Sequence, residues 1–182
     1  MNELAAIIAQ TTGAKNSRQA AADFVIAHPE LLDSFMAICF EIENPDHYKA
    51  CWAMELIALE KLDYLQEYLA LICSKSKTLT NESAIRPLSK TIFLLLEAHY
   101  KSSKEDFLFI EEQRQELIEV NFDWLITNTK VASKVYAMRS LQLLGKEYNW
   151  IHPELQTILT KDFSNHTAAY KAVSKDILKK IK

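Results

Sequence analysis

The sequence predicts an all-helical protein built as a row of stacked helix pairs, and three observations carry that expectation. Chain breakers are scarce: 182 residues hold two glycines and four prolines, whereas sheet proteins need many Gly, Pro and Asn turns. Apolar residues recur by threes and fours along most of the chain. One pattern also repeats: a basic residue, a small or aromatic residue three positions later, and an apolar residue seven positions later. Its copies begin at Arg18, Lys49, Arg86, Lys134 and Lys171, at intervals of 31, 37, 48 and 37 residues. A period in this range belongs to helical solenoids, in which one pair cannot bury its apolar stripe alone and neighbours stack to bury it. Positions −1, +3 and +7 from the basic residue share one helix face and are expected in the core, with the basic residue beside them. A single domain over residues 1–182 is expected. The longest interval holds an insertion at 101–111.

Taken in order, residues 2–12 form a first helix, with Leu4, Ile7 and Ile8 in register and Thr11, Thr12 and Gly13 ending it. A second follows from a cap at Asn16 or Ser17 to Ala27; its alanines at 20–22 admit a close neighbour. Pro29 opens a third, because a missing N–H is harmless in a first turn, and Leu31, Leu32, Phe35, Met36, Cys39 and Phe40 form its apolar face. Asn44 caps and Pro45 opens a fourth, which runs to Leu59. The fifth covers 62–72, and 74–81 is a polar loop. The sixth spans 83–100 and contains Pro87; with Ser83 as cap only the bond to the cap carbonyl is lost, and otherwise the helix kinks.

Residues 101–111 begin charged but hold Phe107, Leu108, Phe109 and Ile110, which predicts an ordered insertion docked by those side chains. Helices follow at 112–126 and 130–144, the latter ended by Gly145 as a C′ residue. After the long connection from Gly145, Pro153 opens a helix that ends at 163–165, and 167–181 is the last. His152-Pro153-Glu154-Leu155 repeats His28-Pro29-Glu30-Leu31, and both histidines are expected to cap.

Composition bounds the function. A net charge of −3 gives no electrostatic ground for a nucleic-acid or anionic-membrane partner. The basic C-terminal run Lys171, Lys175, Lys179, Lys180 and Lys182 suits a helix C-terminus. Cys39, Cys51 and Cys73 have no metal-binding spacing and lie in apolar runs, so buried reduced thiols of a cytoplasmic protein are expected. The N-terminal residues lack the layout of a signal peptide, and no apolar run is long enough to span a bilayer.

The repeated unit resembles HEAT-like repeats. That family's second helix carries an Asp or Asn cap, a basic residue, a small residue three later and a Leu seven later. Asn44-Pro45-Asp46-His47-Tyr48-Lys49 through Leu56 is the closest copy and Asn81 through Phe93 is similar, while Trp52 stands where a small residue is usual. The resemblance covers nearly the whole chain. It implies a HEAT/armadillo-like superhelix with second helices lining a concave face. Phe122-Asp123-Trp124-Leu125-Ile126, Lys134 to Met138, Gly145 to Leu155 and Ala168 to Ala172 are also similar to a small group of bacterial helical proteins labelled adenylosuccinate lyase. The Ser-Ser-x-Met-Pro-x-Lys-x-Asn-like loop of adenylosuccinate lyases has no counterpart, so no catalytic residue carries over.

The basic ladder Arg18, Lys49, Arg86, Lys134 and Lys171 is expected to be structural, pairing with acids or carbonyls of adjacent repeats; a phosphate ladder is the alternative. The strip beside it, Met54, Lys90, Met138, Arg139, Lys175 and Asp176, is the expected binding face for a protein or peptide, because methionines mixed with charges suit such a partner. The five histidines show no metal-ligand spacing, and no metal or cofactor is expected. Trp124 is expected in the core, although Asp123-Trp124 invites comparison with HEAT-like DNA glycosylases. Tyr148 and Trp150 are expected to staple the long connection rather than form a recognition patch. The sequence thus predicts a non-catalytic binding scaffold, with a lyase or a glycosylase as enzymatic alternatives and a homo-oligomer as a third reading.

Overall fold

The computed structural model describes residues 3–101, 109–161 and 163–181. It is all-helical, with no strand among the described residues. No helix among them is long and apolar enough to cross a membrane. The chain forms two compact units, Met1–Leu94 and Leu95–Lys182.

The first unit contains α1 (Glu3–Gln10), α2 (Lys15–Ala27), α3 (Leu32–Phe40), α4 (His47–Glu60), α5 (Leu69–Ser76) and α6 (Glu82–Lys101) as far as Leu94. Helix α4 is its centre. Both α2 and α3 pack on it, and α1 touches it. It buries His47, Ala50, Cys51, Ala53, Met54, Glu55, Ile57 and Ala58, which is more than one stripe. Three alanines and a cysteine in that set keep the helix thin, so neighbours approach from several sides.

Local chemistry sets the helix starts. The Asn44 side chain accepts the Asp46 N–H at 3.0 Å, ahead of α4. At α6 the Asn81 side chain accepts the Ser83 N–H at 2.9 Å, so the cap falls at Asn81 and not at Ser83. Pro87 therefore sits well inside α6, and the Ser83 carbonyl loses its helical donor. Two starts are tighter than an α-helix: Pro29–Leu31 and Leu62–Tyr68 wind as 3-10 helix, with α3 and α5 continuing from them. The fifth element thus runs past the expected 72 to Ser76.

In the second unit, α7 (Glu111–Ile126), α8 (Val131–Leu144), α9 (Ile151–Thr160) and α10 (Ala168–Lys180) follow the end of α6. Here α8 is central and packs on α7, α9 and α10. Its buried side is small and apolar by turns: Ser133, Ala137, Met138, Ser140, Leu141 and Leu144. Thr167 caps α10, its hydroxyl oxygen accepting the Tyr170 N–H at 3.3 Å.

Of the repeat's +3 positions, Ala21, Ser89, Ala137 and Ser174 are buried and Trp52 is half-buried. The +7 positions are less uniform: Val25 and Leu141 are buried, whereas Leu56, Phe93 and Leu178 are half-buried.

Gly145 differs from expectation. Its φ of −64° is right-handed, so no left-handed cap selects glycine there. Close approach selects it: a Cβ would lie 2.1 Å from Cδ2 of His152. His152 therefore does not cap; its Nε2 lies 3.0 Å from the Gln142 carbonyl oxygen. His28 likewise makes no capping bond and pairs with Glu30 at 3.1 Å. Of the apolar residues expected to dock the 101–111 insertion, Phe109 is buried edge-on against His99 at 5.6 Å, and Ile110 is 57% exposed. Phe107 and Leu108 lie outside the described residues.

Candidate functional site

The first unit carries an acidic groove. Pro29–Leu31 with the start of α3 forms one wall, and the 3-10 helix Leu62–Tyr68 forms the other. Three residues per turn align side chains at i and i+3, so Asp63 ranks with Gln66 and Tyr64 with Glu67. All four line the groove, together with Glu30, Asp33 and Tyr68. Its volume is 730 Å³, and no Lys or Arg is among its lining residues.

One contact ties the walls together. The Tyr68 hydroxyl donates to the Asp33 carboxylate at 2.6 Å. Burial, and then the bond to Asp33, push the Tyr68 phenol up to about 12. The hydroxyl therefore stays protonated and holds the ring in place. Glu30 is held below the usual carboxylate range by its own backbone N–H and then by His28. The groove thus presents four carboxylates and two phenol rings, which suits cations: carboxylates supply charge and tyrosine faces attract ammonium or guanidinium groups.

The methionines of the expected binding strip lie away from the surface. Met54 and Met138 are fully buried, so they present nothing to a partner. Their helices α4 and α8 are the centres of their units and are covered on the sides where the methionines emerge; Met138 meets the Ser174 hydroxyl at 3.8 Å. Lys90 is half-buried and spent on Glu55 at 2.9 Å. Arg139, Lys175 and Asp176 are exposed on the second unit, with Lys175 over the Phe163 ring at 5.9 Å.

The basic ladder has clear partners. Lys49 donates to the Ala9 carbonyl oxygen at 2.5 Å and meets Asp46 at 2.8 Å. Lys134 donates to the carbonyls of Leu125 at 2.9 Å and Thr127 at 2.7 Å, and Lys171 to that of Ser164 at 2.7 Å. Lys49 and Lys134 therefore place an ammonium at the C-terminal end of an earlier helix, α1 and α7, where the dipole and the orphan carbonyls favour it. Arg86 instead meets Glu55 at 3.2 Å. Arg18 Nε is buried and has no hydrogen-bond partner among the described residues.

Other singled-out residues fall as follows. Trp124 is 4% exposed, in the core. Tyr148 staples its connection: its hydroxyl donates to Glu111 at 2.8 Å and accepts from Arg114 at 3.0 Å. Trp150 departs from expectation. It is 53% exposed and lies flat on Phe122 at 5.7 Å, one face packed and the other in solvent. The three cysteines are buried free thiols. Cys51 donates to the Cys39 carbonyl at 3.5 Å. Burial pushes the Cys39 thiol up, whereas hydrogen bonds with Cys39 and with His47 pull Cys51 down. Among the described residues no three His, Cys, Asp or Glu side chains are grouped to hold a metal ion.

Helical periodicity could not find the groove, because 62–68 is not an α-helix. A usable signal was present all the same. Leu62 to Tyr68 carries two acids and two tyrosines with no Lys or Arg to pair them, unlike an ordinary solvated helix face with i,i+4 pairs.

Comparison with protein-family models, with curated proteins and with solved structures found no match for this chain.

Proposed function

We propose that the protein is a non-catalytic binding scaffold of HEAT-repeat type that holds a lysine- or arginine-bearing segment of another protein in its acidic groove. The carrying observation is the groove itself: Glu30, Asp33, Asp63 and Glu67 beside Tyr64 and Tyr68, with no cationic side chain in the lining. Two observations support the repeat assignment. Successive second helices touch, α2 with α4 and α8 with α10. Lysines at equivalent positions reach back to carbonyls of earlier segments.

Titration of the full chain with a fluorescent Lys/Arg-rich peptide tests the proposal. Asp63→Asn with Glu67→Gln weakens binding roughly fivefold, from two exposed contacts of about 0.5 kcal/mol each. Added salt weakens it further. Neutralising Glu116 and Glu119, acids of the second unit, leaves it unchanged. Equal losses from both pairs of substitutions would mean diffuse attraction and would refute a specific groove.

A further inference from the structure

The second unit holds a groove of opposite character. It is lined by Leu125, Ile126, Lys134, Ile158, Lys161, His166 and Tyr170, and its volume is 280 Å³. The apolar lining comes from the end of α7 and from α9. The polar lining comes from Lys134 on α8, from Lys161 just after α9, and from His166 and Tyr170 about the start of α10, where Thr167 is the cap.

The informative residue is Tyr170. It is 2% exposed, its hydroxyl makes no hydrogen bond among the described residues, and burial alone pushes its phenol up. The ring is buried while the hydroxyl tip keeps access to solvent, so the phenol is open to donate to whatever enters the groove. The His166 ring lies on the Tyr170 ring at 3.8 Å and 13°, which fixes the phenol before anything binds. Lys134 contributes charge rather than a contact, since its ammonium already serves the Leu125 and Thr127 carbonyls. Lys161 is exposed at the same rim. The N-terminal end of α10, thirteen residues long, adds a positive dipole end. Ile126 is 62% exposed and gives the groove an apolar shoulder.

We propose that this groove binds a small organic anion with an apolar body: the Tyr170 hydroxyl and the Lys161 ammonium hold the anionic head, and Leu125, Ile126 and Ile158 receive the body. A groove of 280 Å³ lies just below the range for drug-sized ligands, so the ligand is smaller than those.

Octanoate is the probe, titrated into the isotope-labelled full chain and followed by NMR. Saturable shifts are expected at Ile126, Ile158 and Tyr170. Acetate, with the charge but no body, and octylamine, with the body but the opposite charge, bind much more weakly. Tyr170→Phe keeps the stacked ring and weakens octanoate about tenfold, as loss of a hydrogen bond to a charged group does. Without ligand the same variant is as stable as the native chain, because the hydroxyl makes no hydrogen bond among the described residues. Lys161→Met weakens octanoate severalfold and flattens its salt dependence. No saturable shift with octanoate, equal binding of octylamine, or undiminished binding by Tyr170→Phe would overturn the proposal.

Discussion

Glu55 offers the sharpest test of how the first unit is held in register. It is buried on α4 and meets two cations of α6, Arg86 at 3.2 Å and Lys90 at 2.9 Å. At an effective dielectric near 20, each contact is worth about 5 kcal/mol before desolvation is charged against it. Side-chain exposure decides how much survives: 9% for Glu55, 22% for Lys90 and 35% for Arg86. The cations reach water, so replacing one of them by methionine costs only about 1 kcal/mol, because the other still holds the carboxylate. Replacing both strands a nearly buried carboxylate and costs about 3 kcal/mol, more than the two single losses together. The coupling in a double-mutant cycle is therefore about 1 kcal/mol. Glu55→Gln costs about 2 kcal/mol and leaves two cations facing each other. Denaturant unfolding of the four variants measures all of this. If the double variant costs no more than either single one, or if all fall within about 0.5 kcal/mol of the native chain, the three charges do not pin α4 to α6.

Three further outcomes follow from the geometry. Gly145→Ala destabilises by about 1–3 kcal/mol through its clash with His152; in a His152→Ala background its sign reverses to a gain of about 0.5 kcal/mol, since φ already suits alanine, and thermal melts of the two pairs decide it. Arg114→Met costs about 2 kcal/mol in urea unfolding, because its guanidinium serves Tyr148, Glu111, Glu147 and the Phe109 carbonyl at once; an unchanged midpoint would contradict that. The Cys51 thiol is lowered from 9.0 to about 7. A depressed pKa gives stability that is present above the unfolded value and is lost as pH falls through the folded one. Thiolate absorbance then shows one group titrating near 7 in the native chain, and Cys51→Ala removes it. A native chain with no thiolate below pH 8 would refute this.

Much of the fold was legible because helix signals are local. Scarce breakers, the Asn44 turn and the small +3 residues Ala21, Ser89, Ala137 and Ser174 depend on near neighbours in sequence and on simple sterics. Pattern failed where the partner is distant or the helix type changes. Met54 and Met138 lie beside the expected stripe, but neither sequence distance nor hydropathy reveals that α4 and α8 are covered on that side too. Gly145 suggested a left-handed cap, and its true cause is a ring seven residues on. The acidic groove arises because Leu62–Tyr68 winds as 3-10 helix opposite Pro29–Leu31, a pairing that no single segment encodes. The ladder lysines Lys49, Lys134 and Lys171 meet backbone carbonyls, acceptors that have no sequence signature.

The central claim is that the acidic groove is where a partner docks. An NMR titration of the isotope-labelled full chain with a Lys/Arg-rich peptide tests it most directly. The account predicts saturable shifts concentrated at residues 29–33 and 63–68, lost with Asp33→Asn, Asp63→Asn and Glu67→Gln together. Shifts centred elsewhere, or saturation unaffected by those three substitutions, would contradict it.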